Sequence, residues 1–258
     1  MDVTAATEPA PGGRNDDGYV IGPDFAAVLD GCTAATDRDS GCAHDVPWLV
    51  ARLSGHLSAE LFRGSDRPLS TILSRAIALT CDDHRGSCDL SNPDSPSSTV
   101  TIVRQTGDTL DYLVLADSPL VVEYTGGGLE VITDTRPERL KGRPLDEVAR
   151  RRYTPDGFWV AGIKPEAGPA SRVGTITGVR RALLLSDGAS RLTERYDHTW
   201  EDLLALADKA GPRVLIQQAH EADSRAETAA AQRGETVRGK PFDDATAVLC
   251  QIADTAAD

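Results

Sequence analysis

Three apolar segments, far apart along this chain, each border an aspartate. Residues 25–29 lead directly into Asp30, residues 182–186 lead into Asp187, and Asp243 lies just before residues 245–249. Apolar runs of this length bounded by glycine and acid are typical of buried strands. Asp-Gly is also a common turn dipeptide, so each acid alone has a plain structural interpretation. Because a carboxylate is costly to bury without a partner of opposite charge, three of them at strand ends favour one shared metal site.

Length, composition and charge exclude several classes of function. The chain has 258 residues, 40% of them apolar, which is enough for a hydrophobic core. The net charge of −13 argues against nucleic acid or an anionic membrane as the main partner, although such a charge also serves solubility alone. Since the sequence shows no membrane-spanning segment and no secretion signal, we expect a cytoplasmic protein.

The cysteines are odd in number and irregular in spacing; they are Cys32, Cys42, Cys81, Cys88 and Cys250. A disulfide scaffold is not expected in a chain of this size without a secretion signal. Cys42 with His44, and Cys81 with His84, faintly indicate zinc, but neither pair has a second half at zinc-finger spacing. We therefore predict five reduced thiols and no zinc.

The N-terminal third predicts a leader, a hairpin and two helices. Residues 1–13 are rich in Ala, Pro and Gly and are expected to form a flexible leader before a single domain over residues 14–258. A turn at residues 22–24 joins two short strands into a hairpin that places Asp16 and Asp17 near Asp30, although an exposed polar turn explains this acidic pair equally well. Apolar residues at helical spacing predict helices over residues 45–62 and 69–79.

The remaining two thirds alternate strands with weaker patterns. An antiparallel meander is predicted over residues 98–103, 109–115 and 120–124. Residues 133–178 are interpreted as a flap insertion with a short strand at residues 158–161. Its basic cluster, residues 150–152, suits a phosphorylated ligand, and a solvated helix face is an equal alternative. Helices over residues 200–209 and 212–222, a mobile charged loop over residues 221–238 and a last strand over residues 246–252 complete the chain.

The order of these motifs resembles the metal-dependent protein phosphatases, the PPM or type 2C family, over about residues 14–252, as a divergent bacterial-type member. The matching motifs are Asn15-Asp16-Asp17 for N-E-D, residues 28–31 for V-x-D-G, Ser98-Thr99 for G-S-T, Ala116-Asp117-Ser118 for G-D-S, residues 184–188 for L-x-S-D-G, and residues 243–246 for D-N-x-T. Each motif is short, but their order and spacing together are specific. The resemblance implies an α+β fold, a four-layer α-β-β-α sandwich of two antiparallel sheets flanked by helix pairs.

The resemblance also implies a centre for two Mn²⁺ or Mg²⁺ ions, hard cations that prefer oxygen ligands. The implied ligands are Asp30, bridging both ions, the Gly31 carbonyl on one ion, Asp187 and Asp243 on the other, and Asp16 and Asp17 as further candidates. A water activated between the ions would attack phosphorus in line, without a covalent enzyme intermediate. Arg14 resembles the family's phosphate-binding arginine.

The chain departs from the family pattern near these motifs. Residues 32–34 lack the later glycines, Asp16 replaces a glutamate, Ala116 replaces a glycine, Asp244 replaces an asparagine, and no histidine follows Asp134 to act as a general acid. The three principal acids remain, and retaining them unpaired would be costly. We therefore predict a phosphoserine/phosphothreonine protein phosphatase. The alternatives are a phosphatase of a small phosphorylated metabolite and an inactive regulatory pseudophosphatase.

Overall fold

The computed structural model describes residues 1–32, 39–64, 66–84, 86–236 and 240–253. Its centre is formed by two five-stranded antiparallel sheets. The first sheet has the order β1-β12-β11-β8-β9, with strands β1 (Asp2–Glu8), β8 (Leu120–Tyr124), β9 (Leu129–Ile132), β11 (Val179–Leu185) and β12 (Ala245–Gln251). The second sheet has the order β10-β7-β6-β3-β2, with strands β2 (Gly18–Ile21), β3 (Phe25–Leu29), β6 (Val100–Thr106), β7 (Thr109–Leu115) and β10 (Arg172–Thr177).

Helices cover the outer face of each sheet. The second sheet packs against α1 (Val46–Arg63) and α2 (Leu69–Asp83). The first sheet packs against α5 (Asp187–Arg195), α6 (Trp200–Ala210) and α7 (Pro212–Gln232). The four-layer α-β-β-α sandwich predicted from the sequence is therefore confirmed. No helix in the described ranges is both long enough and apolar enough to cross a membrane.

Strand β3 shows why the apolar run before Asp30 is uninterrupted. Ala26 and Val28 belong to the core between the two sheets, whereas Phe25 and Leu29 belong to the core beneath α1 and α2. All five residues of β3 are buried. Because both faces of the strand are covered, polar residues have no place on either face, and the usual alternation of a half-exposed strand disappears. Burying each large side chain stabilises the fold by about 2 kcal/mol.

The remaining elements are short. They are the two-stranded sheet β4 (Gly31–Cys32) and β5 (Ser97–Ser98), a 3-10 helix (Pro137–Leu140), α3 (Leu145–Arg151) and α4 (Ala167–Ala170). Residues 172–177 form β10, the edge strand of the second sheet. The predicted flap insertion over residues 133–178 therefore includes a strand of the sandwich and extends too far. The predicted strand at residues 158–161 is wrong, because this segment makes only isolated bridges.

The flexible leader predicted over residues 1–13 is also wrong for its first part. Residues of β1 pair with β12 in continuous antiparallel register, from Asp2 opposite Gln251 to Glu8 opposite Ala245. The interpretation rested on the Ala, Pro and Gly content of residues 1–13. The β-branched residues Val3, Thr4 and Thr7, which favour a strand, outweigh that composition once an open sheet edge is available.

Two further predictions are corrected by the structure. Strand β8 does not continue the meander of β6 and β7, because it pairs with β11 in the other sheet. Ala116, with φ of 68°, and the following Pro119 direct the chain from one sheet to the other. Helix α7 extends to Gln232, so the first part of the charged loop predicted over residues 221–238 is helical, and residues 237–238 lie outside the described part.

Candidate active site

Four aspartates converge at one end of the sandwich, and both sheets contribute to the group. Asp30 follows β3 of the second sheet and Asp17 precedes β2 beside it. Asp187 follows β11 of the first sheet and Asp243 lies two residues before β12. Electrostatic interactions link Asp30 to Asp17 and Asp187, and link Asp187 to Asp243. We call these four side chains the carboxylate centre. Because adjacent strand ends of two facing sheets meet here, acids far apart in sequence become neighbours.

Asp30 lies in the middle of the carboxylate centre. The backbone N–H of Asp187, at the start of α5, donates to Asp30 Oδ2 at 3.0 Å, and the Ser118 hydroxyl approaches the same oxygen at 3.5 Å. The Asp30 carbonyl accepts from the Thr99 amide at 2.9 Å and from the Ser98 hydroxyl at 3.0 Å. Contacts from both sheets therefore fix the backbone and the side chain of Asp30.

Asp17 is tied to the first sheet, although it belongs to the second. The Thr246 hydroxyl donates to Asp17 Oδ2 at 2.9 Å. The Thr246 amide in turn donates to the Ser186 hydroxyl at 2.8 Å, which lies directly before Asp187. These hydroxyl groups bring the ends of β2, β11 and β12 together. The hairpin prediction that placed residues 16–17 near Asp30 thus corresponds to the observed β2–β3 pairing.

The pKa values of Asp17, Asp30 and Asp187 are raised above the ordinary value of an aspartate. Burial raises the pKa of Asp17 to about 7, against the lowering effect of hydrogen bonds from Ser186 and Thr246. Withdrawal from water and the neighbouring Asp243 raise the pKa of Asp187 to about 7, although its side chain is accessible from solvent. Burial and the carboxylates of Asp187 and Asp17 raise the pKa of Asp30 well above its ordinary value. The cluster is therefore unfavourable when fully ionised without a cation.

Two glycines of the Asp-Gly motifs allow close backbone approach. A Cβ atom on Gly31 would lie 2.2 Å from the carbonyl oxygen of Asp16, and one on Gly188 would lie 2.0 Å from the carbonyl oxygen of Asp244. Neither glycine has a positive φ angle. Glycine is required at these two positions because another part of the backbone approaches closely, and not because the chain makes a turn there.

Asp16 has a different environment from Asp17. Its amide donates to Asp244 Oδ2 at 2.9 Å, and the Ala10 amide donates to Asp244 Oδ1 at 2.7 Å. Burial, followed by the nearby Asp244, raises the pKa of Asp16. Asp244, which stands where the family pattern has asparagine, thus holds the chain segment before β2. Asp16 is adjacent to the carboxylate centre, whereas Asp17 is part of it.

Asp243 is held by two cationic side chains. Arg191, only 2% exposed, donates to Asp243 Oδ2 at 2.7 Å and to Asp223 Oδ2 at 2.9 Å. Lys240 forms an ion pair with Asp243 Oδ1. The Tyr196 hydroxyl donates to Asp223 at 2.5 Å and completes the network. Arg191 thereby fixes the position of Asp243 from behind.

Arg14 is not among the described residues that line the central cavity. Its side chain is 66% exposed and forms an ion pair with Asp45 at 2.5 Å. Asp45 is the N-cap of α1 and also accepts from the Trp48 amide at 3.0 Å. The structure therefore joins Arg14 to the start of α1, and its predicted contact with phosphate stays a prediction.

A cavity of about 450 Å³ opens over the carboxylate centre. Asp30, Asp187 and Asp243 form part of its floor. Residues from the flap segment contribute one wall: Pro137, Leu140, Lys141, Val148, Arg152, Phe158 and Val160. None of the described residues that line this cavity is a histidine.

Three side chains that line this cavity are not among the site residues predicted from the sequence: Asp117, Lys240 and Arg195. Asp117 lines it at the crossing between the sheets, where burial raises its pKa. Its neighbour Ala116 has φ of 68°, the left-handed conformation that explains the glycine of the family motif. Lys240 and Arg195 supply positive charge at the cavity wall. Only Asp117 carried a recognisable signal, as the middle residue of Ala116-Asp117-Ser118.

The residues of the centre fit divalent metal ions such as Mn²⁺ or Mg²⁺. Carboxylate oxygens from four strand ends, with a backbone carbonyl at Gly31, are the donors that hard cations prefer. Burial, and after it the neighbouring carboxylates, raise the pKa values of Asp17, Asp30 and Asp187, and a bound cation would offset both effects. Repulsion between such carboxylates amounts to several kcal/mol at a protein-like dielectric.

Comparison with protein families decides the classification. A family model described as protein phosphatase 2C matches residues 13–219. The chain belongs to the protein phosphatase 2C family. It is thus a metal-dependent phosphatase, from a family that acts on phosphorylated proteins. No curated protein matches the chain by sequence.

Solved structures of similar fold include members of the same family. One is the PPM Ser-Thr phosphatase MsPP from Mycobacterium smegmatis, solved with cacodylate, with 21% identity, a TM-score of 0.60 and coverage of 98% of this chain and 99% of that chain. The PstP catalytic domain with two manganese ions has 18% identity, a TM-score of 0.56 and coverage of 96% of each chain. PstP/Ppp from Mycobacterium tuberculosis has 16% identity, a TM-score of 0.58 and coverage of 97% and 98%. These similarities establish the protein phosphatase 2C fold of the chain.

Proposed function

We propose that this protein phosphatase 2C member hydrolyses phosphoserine and phosphothreonine in proteins, with two Mn²⁺ or Mg²⁺ ions bound at the carboxylate centre. The observation that carries the proposal is the convergence of Asp17, Asp30, Asp187 and Asp243 beneath an open cavity. Asp243 is paired with Arg191 and Lys240, but the neighbouring carboxylates of Asp17, Asp30 and Asp187 are costly to ionise together without a further cation. The manganese ions of the PstP catalytic domain give the same expectation for a protein of this fold.

Each acid has a distinct proposed role. Asp30, which interacts with Asp17 and Asp187, would be the central metal ligand, and the Gly31 carbonyl would be a second ligand from the same strand end. Asp187 and Asp243 would be the ligands contributed by the first sheet. Asp17, and not Asp16, completes the set, because Asp17 interacts electrostatically with Asp30, Asp187 and Asp243. When bound, the ions would lower the pKa of the attacking water and would neutralise negative charge on the phosphoryl oxygens.

Groups of the chain itself prepare this centre. The Asp187 amide orients the Asp30 carboxylate through the hydrogen bond at 3.0 Å. Arg191 positions Asp243 through one hydrogen bond and donates a second hydrogen bond to Asp223. Cationic side chains at the cavity wall, Lys141, Arg152 and Arg195, orient the phosphoryl oxygens of the substrate. Guanidinium groups suit this task because their planar donors match phosphate oxygens.

Arg152 has the best-defined position of these cations. Its Nη1 donates to the Pro93 carbonyl at 2.7 Å, and its guanidinium carbon lies 5.8 Å from the centre of the Phe158 ring. Both contacts hold the side chain against the cavity wall while Arg150 and Arg151 remain exposed. Of the basic cluster noted in the sequence, we therefore assign phosphate binding to Arg152.

A small phosphorylated metabolite is the second candidate substrate. The observation that favours it is the wall from the flap segment, whose apolar residues Phe158 and Val160 could enclose a compact ligand. A phosphorylated side chain on an extended peptide enters the same cavity from its open side. We favour the protein substrate because phosphorylated proteins are the substrates of the family.

A pseudophosphatase is less favoured, since all four acids are retained. The cytoplasmic location and the absence of nucleic-acid and membrane partners stay predictions.

The test is a comparison of substrates under controlled metal. Purified protein, stripped with chelator and then supplied with MnCl₂ or MgCl₂, is assayed with p-nitrophenyl phosphate, a phosphothreonine peptide panel and a phosphometabolite panel. We expect activity only with metal, and a higher kcat/KM for the peptides. A metabolite preferred by about two orders of magnitude, ~2.7 kcal/mol of transition-state discrimination, would reverse the substrate assignment. Full activity in chelator would contradict the metal-dependent mechanism.

A further inference from the structure

Two cysteines and two histidines, none of them part of the carboxylate centre, meet at one place in the structure. Cys42 and His44 lie directly before α1, whose N-cap is Asp45. His84 is the C-cap of α2, and Cys88 follows it in the next loop. Because α1 and α2 pack as an antiparallel pair, the start of one helix lies beside the end of the other. One ligand atom from each of the four side chains lies within 4.8 Å of the other three.

The separations between these atoms are close to those of a tetrahedral zinc site. Zn–S bonds of about 2.3 Å and Zn–N bonds of about 2.0 Å at tetrahedral angles require sulfur–nitrogen separations of about 3.5 Å. Cys42 Sγ lies 3.7 Å from His44 Nδ1 and 3.6 Å from His84 Nδ1. Cys88 Sγ lies 3.4 Å from His44 Nδ1. Both histidines therefore present the same ring nitrogen toward the sulfur atoms.

The two sulfur atoms are somewhat closer than a metal ion requires. Cys42 Sγ and Cys88 Sγ are 3.1 Å apart. Tetrahedral zinc would separate them to about 3.8 Å, a movement of roughly 0.7 Å. Both cysteines lie in loop segments and are partly exposed, so small side-chain rotations suffice. The fourth ligand, His84, is only 3% exposed, which places the site against the protein core.

Backbone amides and an aromatic ring contact the ligand side chains of the cluster. The Ala43 amide donates to Cys88 Sγ at 3.3 Å, and the His44 amide donates to Cys42 Sγ at 3.4 Å. The His44 ring stacks on Trp48, with ring centres 3.7 Å apart, and the His84 ring meets the edge of the same indole at 5.0 Å. Such outer contacts fix ligand orientation at metal sites.

The two loops that carry the ligands are also joined by direct hydrogen bonds. The Asp89 amide donates to the Gly41 carbonyl at 2.7 Å, and Asn92 Nδ2 donates to the Asp39 carbonyl at 2.9 Å. The Ser95 hydroxyl donates to the Ser40 carbonyl at 3.1 Å. The backbone around the cluster is thus organised independently of the four ligand side chains.

We propose that Cys42, His44, His84 and Cys88 bind one structural Zn²⁺ ion that fastens the start of α1 to the end of α2. Two thiolates and two imidazoles in tetrahedral array are a donor set that selects zinc over Mn²⁺ and Mg²⁺. A site with four protein ligands leaves no open position, so its role is structural. The ion would secure residues 39–45, which lead into α1.

The proposal replaces the sequence-based prediction of five reduced thiols and no zinc. That prediction paired His84 with Cys81, which lies on α2 and directs its sulfur to the Gly162 carbonyl at 3.6 Å. The structure pairs His84 with Cys88, four residues later, so the missing second half is supplied. Because Cys81 is not among the four clustered residues, it is a suitable control.

The experiment measures metal in the full chain, purified without a histidine tag from zinc-supplemented cells. Wild type and three variants are desalted, and their zinc content is measured by elemental analysis. The variants are Cys42→Ser/Cys88→Ser, the control Cys81→Ser, and Asp30→Asn. The last variant shows whether any zinc is bound at the carboxylate centre instead. We expect about one zinc per chain in wild type and in both single variants, and none in the double variant. Equal zinc in the double variant and wild type would overturn the proposal.

Cobalt substitution of the wild type gives a second readout that does not depend on the folding of any variant. A thiolate–cobalt charge-transfer band, with the intense visible absorption of tetrahedral cobalt, is expected. The carboxylate centre has only oxygen donors and cannot give that band. Absence of the band, or a Cys42–Cys88 disulfide found by mass spectrometry without reduction, would contradict the zinc site.

Discussion

The carboxylate centre and the cysteine–histidine cluster differ in donor chemistry and in how the chain assembles them. The first collects oxygen donors from strand ends of two sheets, and the second collects sulfur and nitrogen donors from the two ends of one helix pair. Hard donors suit an exchangeable Mn²⁺ or Mg²⁺ ion with open positions for substrate, whereas four soft and borderline donors suit a permanently bound Zn²⁺ ion. If both proposals hold, this chain would separate a reacting metal from a structural metal by ligand type.

The largest expected effect comes from removing the central acid of the carboxylate centre. Asp30→Asn should lower Mn²⁺-dependent kcat/KM by at least about a thousandfold, ~4 kcal/mol of transition-state stabilisation, because one carboxylate serves both ions. Steady-state kinetics with a phosphothreonine peptide measure the loss. Asp108→Asn, in the exposed turn at the opposite end of the second sheet, is the matched control and should match wild type. Comparable losses in both variants would remove the special role of Asp30.

The pH dependence of metal binding sharpens the comparison further. The pKa values of Asp17 and Asp187 are raised to about 7, so protons compete with metal below that pH. Mn²⁺ affinity should fall as pH decreases from 7.5 to 5.5, by up to about tenfold per unit for each proton displaced. Calorimetric titrations at several pH values measure this. A flat profile would show that these acids are not the metal ligands.

The same raised pKa values predict the stability of the metal-free protein. Folded-state pKa values above the unfolded value mean that the folded chain binds more protons between about pH 4 and 7. The free energy of unfolding of metal-free protein should therefore decrease as pH rises through this range. Thermal denaturation in chelator at pH 5.5 and 7.5 checks the sign. In Asp187→Asn the difference should shrink, since one of the responsible groups is gone.

The smallest predicted effect distinguishes two arginines. Arg152→Ala should lower kcat/KM for a phosphopeptide by about ten- to hundredfold, because a charged hydrogen bond to phosphate contributes ~1.5–3 kcal/mol. Arg14→Ala should change kcat/KM by less than about threefold, since Arg14 is exposed and paired with Asp45. Steady-state kinetics with both variants decide the assignment. The reverse order would restore Arg14 as the phosphate-binding residue.

Much of the fold follows from local pattern. Strand β3 has the predicted bounds, and α1 begins one residue after the predicted start, because burial on both faces of a strand and one apolar stripe on a helix leave clear signals. The errors concern long-range pairing. Strand β1 needs an open edge of β12, and β8 leaves the meander at Ala116 for the other sheet. Neither partner choice is encoded within the segment itself.

The carboxylate centre and the cysteine–histidine cluster show the same limit at the level of side chains. Asp30, Asp187 and Asp243 were predictable because each ends or begins a strongly apolar strand. The cluster of Cys42 and Cys88 was missed because its two halves meet only when α1 and α2 pack antiparallel, and helical sequence does not specify which loop residues then face each other. Ligand spacing within each half was visible, but the pairing was not.

The most direct test of the central claim counts Mn²⁺ ions bound by the carboxylate centre. Protein at pH 7.5 is titrated with MnCl₂, and free Mn²⁺ is followed by electron paramagnetic resonance in wild type, Asp30→Asn and Cys42→Ser/Cys88→Ser. The account predicts about two Mn²⁺ ions per chain in wild type and in the cysteine variant, and loss of both in Asp30→Asn. Two ions bound equally tightly by Asp30→Asn would contradict it.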